Sequence, residues 1–363
     1  MSAPSRSSRR TAAAPAPARA MLRTVGGGTN LATTFDVRTA FDFSVSLASE
    51  VGERDELPEQ DRRWLERSRA ALPASLMSAE RTELCIFGAG LLVDRPDVVD
   101  ATGFVELIRS MPARQLVTTV VSDLLRDPQR ADIANAALDG DREAIETVLA
   151  AWPEHQQHDW VGHLLHEPEG LTGEMAELMA AWLPYYLEIE PRVQQIIARD
   201  ADLRAGDRDT LQSTELIDRT TNGIRWLSEP GVRRVVLAPS YLVRPYNFTF
   251  SGGDWRMFVY PVSDEALEPA DPHAPPVGVL RLHRALGDES RLRILRLLRD
   301  RDHYLTEIAE HLELSKPTIK HHLALLRSAG LVTLIEEGGL SYYSLRRDRL
   351  DDASSELKSY LKA

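Results

Sequence analysis

Residues 304–345 constrain this chain more than any other stretch. YLTEIAEHLELSKPTIKHHLALLRSAGL predicts a helix beginning after Thr306, a tight break at Glu313-Leu314, and a second helix over 315–329 capped by the Ser315 hydroxyl. Pro317 falls in the first turn of that second helix, where its missing N–H costs little. An apolar run over 331–335, a turn over 336–339 and a second run over 341–345 predict a β-hairpin. Helix, turn, capped helix and hairpin in this order leave few architectures open.

The flanks fit the same small body. LRLHRALGDESRLRILRLL, which follows Val279, places Leu282, Leu286, Leu292, Leu295 and Leu298 on the buried faces of two helices split at Gly287-Asp288, with Asp288 as N-cap. A last helix from about Arg349 carries Leu350, Ala353, Leu357 and Leu361 as one apolar stripe.

These residues make the segment resemble the arsenic-resistance-regulator (ArsR) family of winged-helix repressors. The resemblance rests on ALGDESRLRILRLL, LSKPTIKHHLALLRSAGLV and the GG-L-S-YYSL wing, and covers roughly 85 of 363 residues. It implies a sequence-specific transcriptional regulator, a repressor, that binds double-stranded DNA as a homodimer on an inverted repeat. Terminal helices pack between subunits in that family; here 279–286 and the 350–361 stripe would supply the surface. Ser315, Lys316, Thr318, Lys320 and His321, with Thr306 at the start of the preceding helix, are the expected DNA contacts, because hydroxyl, ammonium and imidazole groups there would face a major groove. His322 reads equally as a residue rimming the core. Two features depart from the family. Lys320 stands where its motif has Ser, and the wing carries Glu336 and Glu337 where members commonly carry Arg, so minor-groove contact is not expected.

Charge follows the same division. The whole chain carries −12, yet residues 277–363 hold 15 Lys and Arg against 13 Asp and Glu, a net of +2, which leaves −14 for residues 1–276. All four lysines, at 316, 320, 358 and 362, fall in the C-terminal part.

Upstream, four prolines within EPADPHAPP predict an extended linker at 268–276. The expected domains are therefore a disordered basic tail over 1–30, a mostly helical domain over 31–267, the linker, and the winged helix over 277–363. The fold class is mainly α, with a small β-sheet closing the larger domain: strands at 232–237, 246–250 and 255–259, the last two as a hairpin, and a short strand near 33–37. No apolar run is long enough to span a bilayer, and a single cysteine, Cys85, excludes an internal disulfide and fits a reducing cytoplasm.

The family's usual metal-sensing motifs, Cys-rich at the helix-turn-helix or Asp/His/Glu on the last helix, are missing, so neither metal nor cofactor is expected. His155, His158, His163 and His166 read either as a weak metal cluster or as solvent-facing histidines. The aromatics Trp182, Tyr185, Tyr186, Trp226, Tyr241, Tyr246, Phe248, Phe250 and Trp255 read either as ordinary core or as the lining of a pocket for a small-molecule effector. No phosphate loop, nucleophile elbow or zinc-protease motif occurs, so no enzymatic activity is expected. The competing readings are an enzyme regulated by its winged helix, and a winged helix used only for protein contact.

Overall fold

The computed structural model describes residues 31–48, 56–125, 129–151, 159–267, 277–337 and 340–361. The chain is mainly helical. Strand β1 (Ala32–Phe35) leads into a layer of helices: α1 (Thr39–Val45), α2 (Glu59–Ala71), α3 (Ala79–Phe87), α4 (Ala101–Ser110), α5 (Ala113–Leu124), α6 (Arg130–Leu138), α7 (Arg142–Ala151), α8 (Asp159–His166), α9 (Pro168–Leu187), α10 (Glu190–Leu203), α11 (Ala205–Thr210) and α12 (Ser213–Thr220). The 20-residue α9 organises this layer, because Met175, Leu178, Met179, Trp182 and Tyr186 recur at helical spacing and are all fully buried.

After α12 come β2 (Ile224–Trp226), β3 (Arg234–Ser240), β4 (Phe248–Ser251) and β5 (Trp255–Pro261). One sheet has the order β1-β3-β5-β4, with β1 and β5 parallel to β3 and β4 antiparallel to β5. Its inner strands are covered on both sides, hence their near-continuous apolar runs. Val236, Ala238, Met257 and Val259 face the helical layer, while Val235, Leu237, Phe258 and Tyr260 build a second cluster with Leu216, Ile217 and Trp226. The short strand near residue 33 thus joins the sheet, the 246–259 hairpin forms, and β3 runs three residues beyond its predicted end.

The C-terminal part comprises α13 (Val277–Leu286), α14 (Glu289–Leu298), β6 (His303–Tyr304), α15 (Leu305–Leu312), α16 (Lys316–Ser328), β7 (Val332–Glu337), β8 (Leu340–Leu345) and α17 (Arg347–Tyr360). It has its own core, centred on Leu282, Ile294, Ile308, Ile319, Leu323 and Leu326. The Asp288 cap is present: its carboxylate accepts the Arg291 N–H at 2.9 Å. Leu292 corrects the sequence reading. It is half exposed, because α14 turns Ile294, Leu295 and Leu298 inward instead.

A feature that the sequence pattern hid lies between the two parts. The hairpin β7-β8 belongs to a four-stranded sheet of order β2-β7-β8-β6, in which β2 runs parallel to β7 with Ile224 opposite Leu334 and Trp226 opposite Glu336. Leu334 N–H donates to Gly223 O at 2.8 Å and Leu227 N–H to Glu336 O at 3.0 Å. Gly223 is required there. Its φ is +106°, and an added Cβ would stand 3.2 Å from the Val332 carbonyl oxygen. The described residues on both sides of 268–276 belong to one compact unit.

Candidate nucleic-acid interface

Helix α16 starts where its chemistry predicts. Glu313 closes α15 in the left-handed conformation, φ 57°, which turns the chain sharply into Ser315. The Ser315 hydroxyl then accepts the Thr318 N–H at 3.3 Å and lies 2.7 Å from the Thr318 hydroxyl. This N-cap leaves the helix's first turn presenting Ser315, Pro317, Thr318 and Lys320 to solvent, with Lys316 partly covered. Amide groups at a helix N-terminus and two ammonium groups one turn apart make this the surface suited to phosphate and base edges. Thr306, in the first turn of α15, is exposed as well.

The rest of α16 is claimed by packing. Ile319, Leu323 and Leu326 point into the winged-helix core. His321, Ala324 and Arg327 turn toward the N-terminal part, and Ala324 joins the large helical core. His321 is half-buried with Nδ1 2.9 Å from the Tyr246 hydroxyl, so it is placed apart from the other five expected contacts. His322 rims the core: it is partly buried, its Nδ1 lies 3.9 Å from Asp288 Oδ1, and burial holds its imidazole below the ordinary value. The accessible part of α16 is therefore about six residues at its N-terminal end, roughly 9 Å of helix.

Arg327 locks the other end. It is almost wholly buried, donates to Thr221 O at 2.7 Å and to Pro245 O at 3.1 Å, and pairs with no carboxylate among the described residues. Burial without a counter-charge pushes its guanidinium down to about 10. Asn222 Nδ2 donates to Ser328 O at 2.8 Å and Arg327 O at 3.3 Å, filling carbonyls that the end of a helix leaves unpaired. Sequence reasoning missed these partners because each contact joins residues more than 80 positions apart.

A second clamp sits on α13. Arg281 donates to Asp264 at 2.9 Å and to Glu56 at 3.1 Å, and Arg244 donates to Asp264 at 2.5 Å and to Val262 O at 2.6 Å. Burial alone would raise the Asp264 carboxyl; the guanidiniums of Arg281 and Arg244 instead hold it down at about 2.

The wing is acidic where it is described. Glu336 and Glu337 end β7, and residues 338–339 of the turn lie outside the described residues. Seven of the nine aromatics named above are buried in the two N-terminal cores, with Tyr185 and Phe248 partly covered. His163 and His166 are exposed on α8, and His155 and His158 lie outside the described residues. Among the described residues no three His, Cys, Asp or Glu side chains gather as a metal site, and no helix is long and apolar enough to cross a membrane. Cys85 is buried in the helical core, where burial pushes its thiol up.

Comparison with known proteins agrees with this geometry. The family model described as "Bacterial regulatory protein, arsR family" matches residues 288–333, from the α14 cap to the start of β7. The transcriptional repressor SdpR of Bacillus subtilis is 36% identical over 78 residues, which are 22% of this chain and 87% of that protein. The HTH-type transcriptional regulator CmtR of Mycobacterium tuberculosis is 42% identical over 77 residues, 21% of this chain and 65% of the relative. The arsenical resistance operon repressor of Staphylococcus aureus is 38% identical over 69 residues, 19% and 66% respectively. No solved structure matches the chain. The matched segment is α14 and the helix-turn-helix of α15 and α16, and with a repressor of which the chain covers most of the length it shows that the chain belongs to the arsR family of bacterial regulatory proteins.

Proposed function

We propose that the protein is a DNA-binding transcriptional repressor of the bacterial cytoplasm that reads an inverted repeat as a homodimer. The observation that carries this reading is the capped first turn of α16, exposed on a winged-helix scaffold and bearing Ser315, Lys316, Thr318 and Lys320. Thr306 adds a backbone-directed hydroxyl from α15. His321 serves this reading indirectly, by holding α16 against Tyr246.

The homodimer reading draws on the outer face of α13 and α17, which pack on each other and leave Val277, Leu280, Leu350 and Leu361 between 36% and 73% exposed. Exposed apolar side chains at terminal helices are suited to a two-fold contact, which would set two recognition helices about one DNA turn apart. With Glu336 and Glu337 on the wing, sequence reading rests on one helix per subunit.

The test is a gel-shift titration of the full chain on fragments of genomic DNA recovered by footprinting. Lys316→Ala with Lys320→Ala is expected to abolish sequence-specific retardation while the thermal transition stays put. Unchanged retardation by the double variant removes this reading.

A further inference from the structure

Ile319, Leu323 and Leu326 turn one face of α16 into the winged-helix core. His321 lies two residues past Ile319, about 200° further around the helix axis, and so stands on the face directed away from that core. The upstream chain covers this outer face. The Tyr246 hydroxyl lies 2.9 Å from His321 Nδ1, Ala324 is buried within the large helical core, and Arg327 donates to Pro245 O at 3.1 Å. Pro245 and Tyr246 both belong to the connection between β3 and β4, which folds on itself through the Tyr246 N–H donating to Val243 O at 2.8 Å.

Groove dimensions decide what this cover costs. A helix with its side chains is about 10 to 12 Å across, and the major groove of DNA is about 12 Å wide. A recognition helix that enters the groove therefore fills it, and no second layer of protein fits between its outer face and the bases. Beyond Lys320 every residue of α16 is at most partly exposed, so the helix as docked can offer DNA its first turn alone. The His321 imidazole, on the outward face, meets the Tyr246 hydroxyl where a base edge would otherwise stand.

We infer that the 241–247 connection is an autoinhibitory contact: it caps the outer face of α16, and insertion of the helix beyond its first turn requires the two to part, freeing His321 for the groove. This inference rests on the DNA-binding reading above. Parting leaves β2 paired with β7 and Arg327 donating to Thr221 O, so the wing sheet stays complete while the Tyr246 and Pro245 contacts are given up. DNA that binds the parted state better draws the population toward it, and the measured affinity is reduced by the fraction of molecules in which α16 is already free.

Anisotropy titration of the full chain on the footprinted fragment, at one salt concentration, tests the contact. Tyr246→Phe keeps the buried ring and removes only the hydroxyl that holds His321, so it weakens the capped state and should tighten specific binding by about two- to tenfold. A contact that merely supports the fold would leave affinity unchanged or lower it. Hydrogen exchange of the wild-type chain is the second measurement, and it decides the matter if the variant fails to fold. Amides of residues 243–247 should exchange faster when the specific fragment is added, and not when a random duplex is added. Specific binding that Tyr246→Phe leaves unchanged or weakens, or exchange in 243–247 that the specific fragment does not speed, overturns the inference. Absence of specific binding by wild type and variant alike is a different result: it removes the function proposed above, and this inference with it.

Discussion

Asp264→Asn isolates the clamp between α13 and the N-terminal part. Asp264 accepts from both Arg244 and Arg281, and these partners hold its carboxyl at about 2 where the ordinary value is 3.8. That difference corresponds to about 2.4 kcal/mol of preferential interaction with the ionised form at neutral pH. The sign is fixed by the direction of the shift. A carboxyl held down in the folded state contributes its stability fully above the unfolded value near 4, and loses it as pH falls toward 2. The variant should therefore be less stable by about 2 to 3 kcal/mol at pH 7, the upper end reflecting guanidiniums left with poorer partners. At pH 3 the deficit should shrink to roughly half, since much of the wild-type advantage has gone by then. Urea unfolding followed by tryptophan fluorescence at the two pH values measures both numbers. A deficit equal at pH 7 and pH 3, or one below about 0.5 kcal/mol at pH 7, refutes the assignment of this carboxylate as the ionised centre of the clamp.

Further expectations concern other parts of the molecule. Each of Lys316→Ala and Lys320→Ala should lower the slope of log affinity against log salt by about 0.9 if its ammonium meets one phosphate, a change read by anisotropy titration across salt concentrations. Trp226→Ala removes a side chain that is 1% exposed and stacked edge-on with Phe258, and should cost about 3 to 5 kcal/mol in denaturant unfolding. Leu280→Glu with Leu350→Glu should turn a dimer into a monomer in sedimentation equilibrium, and a mass that stays dimeric would place the subunit contact elsewhere.

The helix-turn-helix was legible because its signals are local. Ser315 caps a helix three residues away, Pro317 is tolerated only in a first turn, and Asp288 caps through Arg291. The strands of the first sheet were legible for a related reason, since Val235, Val236 and Leu237 form a run that only a strand covered on both faces would bury. What stayed hidden depends on distant pairing. Ile224, Arg225 and Trp226 form too short a run to mark a strand, and nothing in them names β7 as partner. Arg327 carries no local signal of burial in the sequence; the carbonyls of Thr221 and Pro245, contributed from far upstream, make it a buried anchor. Leu292 failed for the opposite reason. Its spacing fits the apolar stripe, but the face of α14 that is buried carries Ile294, Leu295 and Leu298, and Leu292 lies off it.

The strand borrowed from upstream also bears on how such a protein can be taken apart. Severed at residue 277, the C-terminal part would carry β7 as a bare sheet edge, with Arg327 stripped of both its acceptors and the last carbonyls of α16 uncapped. The reading head is thus not a cassette that recombination could move alone. The strand also fixes a length: Ile224 and Trp226 face inward and Arg225 outward, so one residue added or removed between α12 and β2 turns both apolar side chains outward unless a bulge absorbs it.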